Sequence, residues 1–159
     1  MRFSKACLFV ASAIALCSCA SEKFQTGSGD LGTFIVQKAK ASGASTVSAN
    51  APLRVTGDWR YFQDRNGTVI RMEPVNYAAL ESFLIQTFGQ PSVGPKDTPS
   101  GGKYGVYRLS PNGGVLQFGR DVQDGAHVEI IHALAPKDVG TTAAQVFSDL
   151  DAQKAPTKP

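Results

Sequence analysis

No cysteine follows residue 19; the three in the chain are Cys7, Cys17 and Cys19. That excludes a disulfide framework, a cysteine nucleophile and a cysteine zinc cage from everything downstream. Histidine is nearly as scarce, with only His127 and His132. Charged residues make up 18% of the chain and nowhere cluster as Lys/Arg patches, so the electrostatic footprint of a nucleic-acid binder is missing. No G-x-S-x-G elbow of a serine hydrolase is present. The apolar run Ala6 to Leu16 spans 11 residues, short of the roughly 17–25 that a bilayer-spanning helix requires.

What is present is concentrated at the start. Arg2 and Lys5 form a positive n-region and Ala6 to Leu16 an apolar h-region, the layout of an export signal. The four residues that follow, Leu16-Cys17-Ser18-Cys19, resemble the lipobox of bacterial lipoproteins. That resemblance implies cleavage between Ser18 and Cys19, and a diacylglycerol thioether with palmitate-type chains on Cys19. Two or more acyl chains anchor stably where one does not. Cys17 is the poorer acceptor, because Leu16 would then sit directly before the cut. An ordinary secretory signal cut after Ala20 is the alternative. Ala20 beside the acylated cysteine resembles the outer-membrane default. Loss of Met1 to Ser18 removes Arg2 and Lys5 and no acidic residue, so the net charge of +3 falls to +1.

The expected organisation is a signal over 1–18, a lipid-anchored flexible spacer over 19–52, one domain over 53–153 and a disordered tail over 154–159. The spacer reading rests on its Ser, Thr, Gly and Ala content, which buries too little apolar surface to offset chain entropy. Thr33 to Gln37 (TFIVQ) is its one apolar stretch. Gly27-Ser28-Gly29-Asp30-Leu31-Gly32 matches G-x-G-x-x-G, yet the sequence offers no strand before it, which a dinucleotide loop needs. In the domain, Trp59 to Gln63 and Thr68 to Met72 flank Asp64-Arg65-Asn66-Gly67, a hairpin signal. Asn76 is the expected N-cap of a helix through Phe88, with Tyr77, Leu80, Leu84 and Phe88 on one stripe and Gly89 and Pro91 as the stop. Residues 89–102 then read as a long loop, functional or mobile, with three prolines and four glycines. Three strands follow as a meander: Tyr104 to Leu109, Val115 to Arg120 and His127 to Leu134. Thr142-Ala143-Ala144-Gln145 resembles a capping box before Val146, Phe147 and Leu150, so a short C-terminal helix is expected. The expected fold class is α+β: one main amphipathic helix packed on an antiparallel sheet built from an N-terminal hairpin plus that meander.

Chemistry has few carriers. His127, Glu129 and His132 invite a metal or acid–base reading. On a strand, however, His127 and Glu129 share a face and His132 takes the other, so three ligands do not converge and no cofactor or metal is expected. Glu73, Glu81, Asp121 and Asp124 show no spacing of a catalytic carboxylate pair. Trp59, Tyr61, Phe62, Tyr104 and Tyr107 form either a binding surface or ordinary sheet packing, with Lys103, Arg108 and Arg120 on or beside the same strands.

The order helix, Phe88-Gly89-Gln90-Pro91, loop, Tyr-rich strand, turn, strand, turn, strand covers about 76–134. It resembles small outer-membrane assembly lipoproteins (the SmpA/OmlA or BamE-like group) and β-lactamase-inhibitor-like modules. That resemblance implies a periplasm-facing protein at the outer membrane. The expected function is a non-enzymatic accessory or protein-interaction module, held to the bilayer through Cys19, with an envelope protein as partner. The alternatives are a small hydrolase or metal-dependent enzyme using His127, Glu129 or His132, and small-ligand binding under the 89–102 loop.

Overall fold

The computed structural model describes residues 24–45, 52–111, 113–122 and 125–132. Seven strands make up one sheet: β1 (Gln25–Thr26), β2 (Arg60–Gln63), β3 (Gly67–Met72), β4 (Val93–Asp97), β5 (Lys103–Arg108), β6 (Val115–Asp121) and β7 (Gly125–Ile131). Their order is β1-β2-β3-β7-β6-β5-β4, and every neighbouring pair is antiparallel. Two helices accompany them, α1 (Leu31–Ala41) and α2 (Tyr77–Phe88). The chain lays down β1, β2 and β3 side by side, crosses to the far edge through α2, and returns strand by strand until β7 pairs with β3. Ile70 then faces Val128, and Thr68 faces Ile130.

This architecture corrects the expected fold class. A single main helix on a sheet is not what forms: two short helices share one face of a seven-stranded sheet. The expected C-terminal helix lies outside the described residues, as do the signal over 1–18 and the tail. The spacer expectation over 19–52 also gives way, because residues 24–45 carry β1 and α1. Composition misled there. Asp30 caps α1, accepting from the Thr33 backbone N–H at 2.7 Å and from the Thr33 hydroxyl at 2.8 Å. Leu31, Ile35 and Ala39 then recur four apart and are fully buried, or within 1% of it. Full burial of a Leu or Ile side chain contributes about 1.5–3 kcal/mol, enough for a few apolar residues to hold a Ser/Gly-flanked helix.

α2 begins and ends where its sequence pattern places it, but Asn76 does not cap it. A 3-10 turn, Pro74–Asn76, leads in, and Asn76 is 3% exposed with no side-chain bond to the helix. Its amide instead accepts from Thr56 N–H at 2.8 Å and donates to Thr56 C=O at 3.0 Å. It therefore pins the segment that leads into β2. Gly89, at φ 79°, closes the helix in a conformation costly for other residues.

One face of the sheet, with Ile70, Met72, Tyr107, Leu116, Phe118, Val128 and Ile130, packs against both helices and Trp59 in the main core. The opposite face holds a second apolar cluster of Val69, Val93, Val106, Val115 and Ile131. Both faces of the meander therefore carry buried apolar residues.

Candidate functional site

Two of the residues picked out for chemistry, His127 and Glu129, fall on this second face. Side chains alternate along a strand, and the register fixes which ones stand abreast. One row runs Phe62, Val69, Glu129, Gln117, Val106, Val93. The next runs Thr26, Arg60, Arg71, His127, Gly119, Tyr104, Lys96. The first band thus carries apolar residues on either side of Glu129 and Gln117, and it lies beside a basic one. Gly119 has no room for a side chain, since a Cβ there would overlap the Lys103 carbonyl oxygen and come within 3.2 Å of the His127 imidazole. Arg60 and Arg71 stand directly opposite each other, an unfavourable like-charge pair unless anionic groups lie close. Asp58 and Glu73 supply them, lining with both arginines a cleft of about 630 Å³. Arg71 also lies 4.9 Å from the Phe24 ring centroid. Arg71, Tyr104, Arg108, Asp121, His127 and Glu129 are all engaged in further bonding, ring or electrostatic interactions.

His132 is not part of this band. It follows β7, donates its backbone N–H to Asn66 C=O at 2.9 Å, and sets its Nδ1 2.6 Å from the Ser42 hydroxyl at the C-terminal end of α1. Burial, then the nearby Lys38 charge, holds the imidazole below its ordinary pKa, with Asp64 pulling the other way. A serine on a neutral histidine, with a carboxylate nearby, has the elements of a nucleophile and its base. The surroundings argue for a structural role instead. Ser42 is 4% exposed and its carbonyl accepts from Gly114 N–H at 2.6 Å. The Asp64 carboxylate is taken up by Asn66 N–H at 2.7 Å and Gly67 N–H at 3.1 Å, which shape the β2–β3 turn. The Ser42 hydroxyl is buried against the imidazole. Among the described residues no group of three or more His, Cys, Asp or Glu side chains gathers as a metal site.

The aromatic set splits between the faces. Trp59 and Tyr61 cluster with Phe34 on the helical side, with ring centroids 4.9–5.7 Å apart. Tyr107 sits between Phe88 and Phe118 on that same side. Phe62 and Tyr104 flank the second cluster. No single surface collects all five. The expected 89–102 loop contains the edge strand β4: Ser92 Oγ accepts from Arg108 N–H at 3.0 Å, and Thr98 and Gly102 close the β4–β5 turn. The segment that a ligand would lie under is therefore part strand and part turn.

The glycine run proves to have a strand before it and a helix after it, β1 and α1. It still makes no phosphate cradle, because the Asp30 carboxylate occupies the helix N-terminus and the sheet is antiparallel throughout. Its glycines serve packing: a Cβ on Gly27 would overlap the Trp59 indole, and one on Gly32 would press on Phe83. Of the carboxylates, Glu73 lines the arginine cleft and Asp121 ends β6 on the second face. Ser18, Cys19 and Asp124 lie outside the described residues. Ser42 and Asn76 carry two buried side-chain links that sequence reasoning missed. Among the described residues no helix is long and apolar enough to cross a membrane. Comparison with family models, with curated proteins and with solved structures finds no match for this chain.

Proposed function

We propose that this chain is an envelope lipoprotein, held to a bilayer through acylated Cys19 and acting as a non-enzymatic accessory module for a protein partner. The observation that carries the reading is the lipobox-like Leu16-Cys17-Ser18-Cys19 followed at once by folded chain, with Phe24 already against Phe62. Five residue steps separate Cys19 from Phe24, a reach of at most about 18 Å. A body so tethered stays within a lipid headgroup's reach instead of ranging on a 33-residue string, which suits a protein that works beside a membrane-bound complex. The chemistry of the face is consistent with contact and not turnover: the Ser42–His132 pair is closed in, and His127 stands among arginines. The outer-membrane placement rests on Ala20, and the assembly-factor reading on the Phe88-Gly89-Gln90-Pro91 turn and the strands after it.

Two measurements test this. Cells expressing the chain and fed an alkyne fatty acid should yield a labelled, membrane-bound protein whose N-terminal peptide is an acylated Cys19, and Cys19→Ser should abolish both label and membrane retention. An unlabelled protein that keeps residues 1–18 would overturn the anchor. Crosslinking in intact cells should then recover a defined envelope protein with the wild type and not with Cys19→Ser.

A further inference from the structure

The second face of the sheet poses a packing problem. Val115 and Ile131 are fully buried and Val106 is 1% exposed, yet no helix residue among those described joins their cluster. The flanking Phe24, Phe62 and Tyr104 are themselves only partly buried. Ring neighbours at the margins do not remove an isoleucine at the strand end from water. We infer that this face is the docking site of the chain's own C-terminal segment, residues 133–159.

Position, length and chemistry select that occupant. The segment leaves the sheet at His132, directly after Ile131 and therefore at the end of the face where burial is complete. Residues 133–141 can span up to about 30 Å, and the face from β2 to β4 is about 24 Å across, so any strand is within reach. Val146, Phe147 and Leu150 form an apolar stripe at helical spacing, matching the valine band. Asp149 and Asp151 flank Leu150 and complement the basic row of Arg60, Arg71 and Lys96, whose arginines already share a cleft with Asp58 and Glu73. The start of the chain is a poorer fit. Its path enters at the β1 edge, where Phe24 already lies over Phe62 and Arg71, far from Val115. The inference stands whether or not Cys19 is acylated.

The test reads the face with a thiol. In the full chain with Cys7, Cys17 and Cys19 changed to serine, Val106→Cys supplies the one reactive sulfur. Its alkylation by iodoacetamide should be slow. It should become at least about tenfold faster when Phe147→Asp is added, or when the chain stops at His132, while Val75→Cys reacts at one fast rate in all three backgrounds. Equal Val106→Cys rates throughout would overturn the proposal. So would protection that survives both changes but disappears on dilution (a second copy) or on deletion of residues 20–23. Should the altered chains fail to fold, a benzophenone amino acid at position 147 of the otherwise native chain gives a separate readout. Crosslinks to β5, β6 or β7 support the docking, and crosslinks confined to α1 or α2 overturn it.

Discussion

The Ser42 hydroxyl and His132 Nδ1, 90 residues apart in sequence, meet at 2.6 Å and tie the end of α1 to the end of β7. Two chain ends that would otherwise fray are closed on one another by a single short bond. Burial favours the neutral imidazole at this position. Because the folded-state pKa lies below that of the unfolded chain, this contribution is complete above about pH 6.5 and fades as pH falls through the lowered native value. Urea midpoints should therefore drop on mild acidification in the wild type. His132→Ala should flatten that slope and cost about 1–3 kcal/mol at pH 7.5, since it leaves the Ser42 hydroxyl buried without its partner.

Asn76 should be the most sensitive polar position. Its amide satisfies both the N–H and the C=O of Thr56. Asn76→Ala strands both backbone groups and should lower unfolding free energy by about 2–4 kcal/mol, measured by denaturant titration. Asn76→Asp keeps the acceptor and loses the donor, so it should fall between the wild type and alanine.

Gly27→Ala should strike the single tryptophan. The methyl has no room against the Trp59 indole, which is 5% exposed. Overpacking of this kind typically costs about 1–3 kcal/mol. Trp59 emission should shift to longer wavelength while the far-ultraviolet dichroism of the sheet persists. Gly29→Ala offers the contrast: open space surrounds it, so only its left-handed backbone resists the change.

Tyr107 should resist alkali. Burial first, then the Glu81 charge, pushes its phenol up to about 12, and its hydroxyl donates to Gly89 C=O at 2.9 Å. An acid whose native pKa is raised stabilises the fold fully below the unfolded value of about 10 and loses that contribution as pH climbs toward 12. Phenolate absorbance should lag behind that of a tyrosine peptide until unfolding, and Tyr107→Phe should remove part of the lag.

Local chemistry made some elements readable. Asp64 and Asn66-Gly67 form the β2–β3 turn by their own hydrogen bonds, and Gly89 stops α2 through its backbone, so short-range pattern was sufficient there. α1 was hidden, because Leu31 and Ile35 become core only against Phe83 and Trp59, which arrive much later in sequence. The capping role expected of Asn76 was lost to a tertiary partner, Thr56. β4 was obscured by Gly94 and Pro95, residues that disfavour a central strand but are tolerated at an edge with a register shift. Neither the Ser42–His132 bond nor the burial of Val115 has any local signature, since each depends on pairing between distant strands.

That last dependence sets an order of events. The pairing of residues 67–72 with 125–131 lies at the middle of the sheet, so the early hairpin has no inner neighbour until nearly all of the described chain is available. A polypeptide delivered N-terminus first must wait, with the inner edge of β3 unpaired, for β7 to emerge. Non-local closure of this sort is slow, and the waiting interval is when a chaperone would find the most to hold.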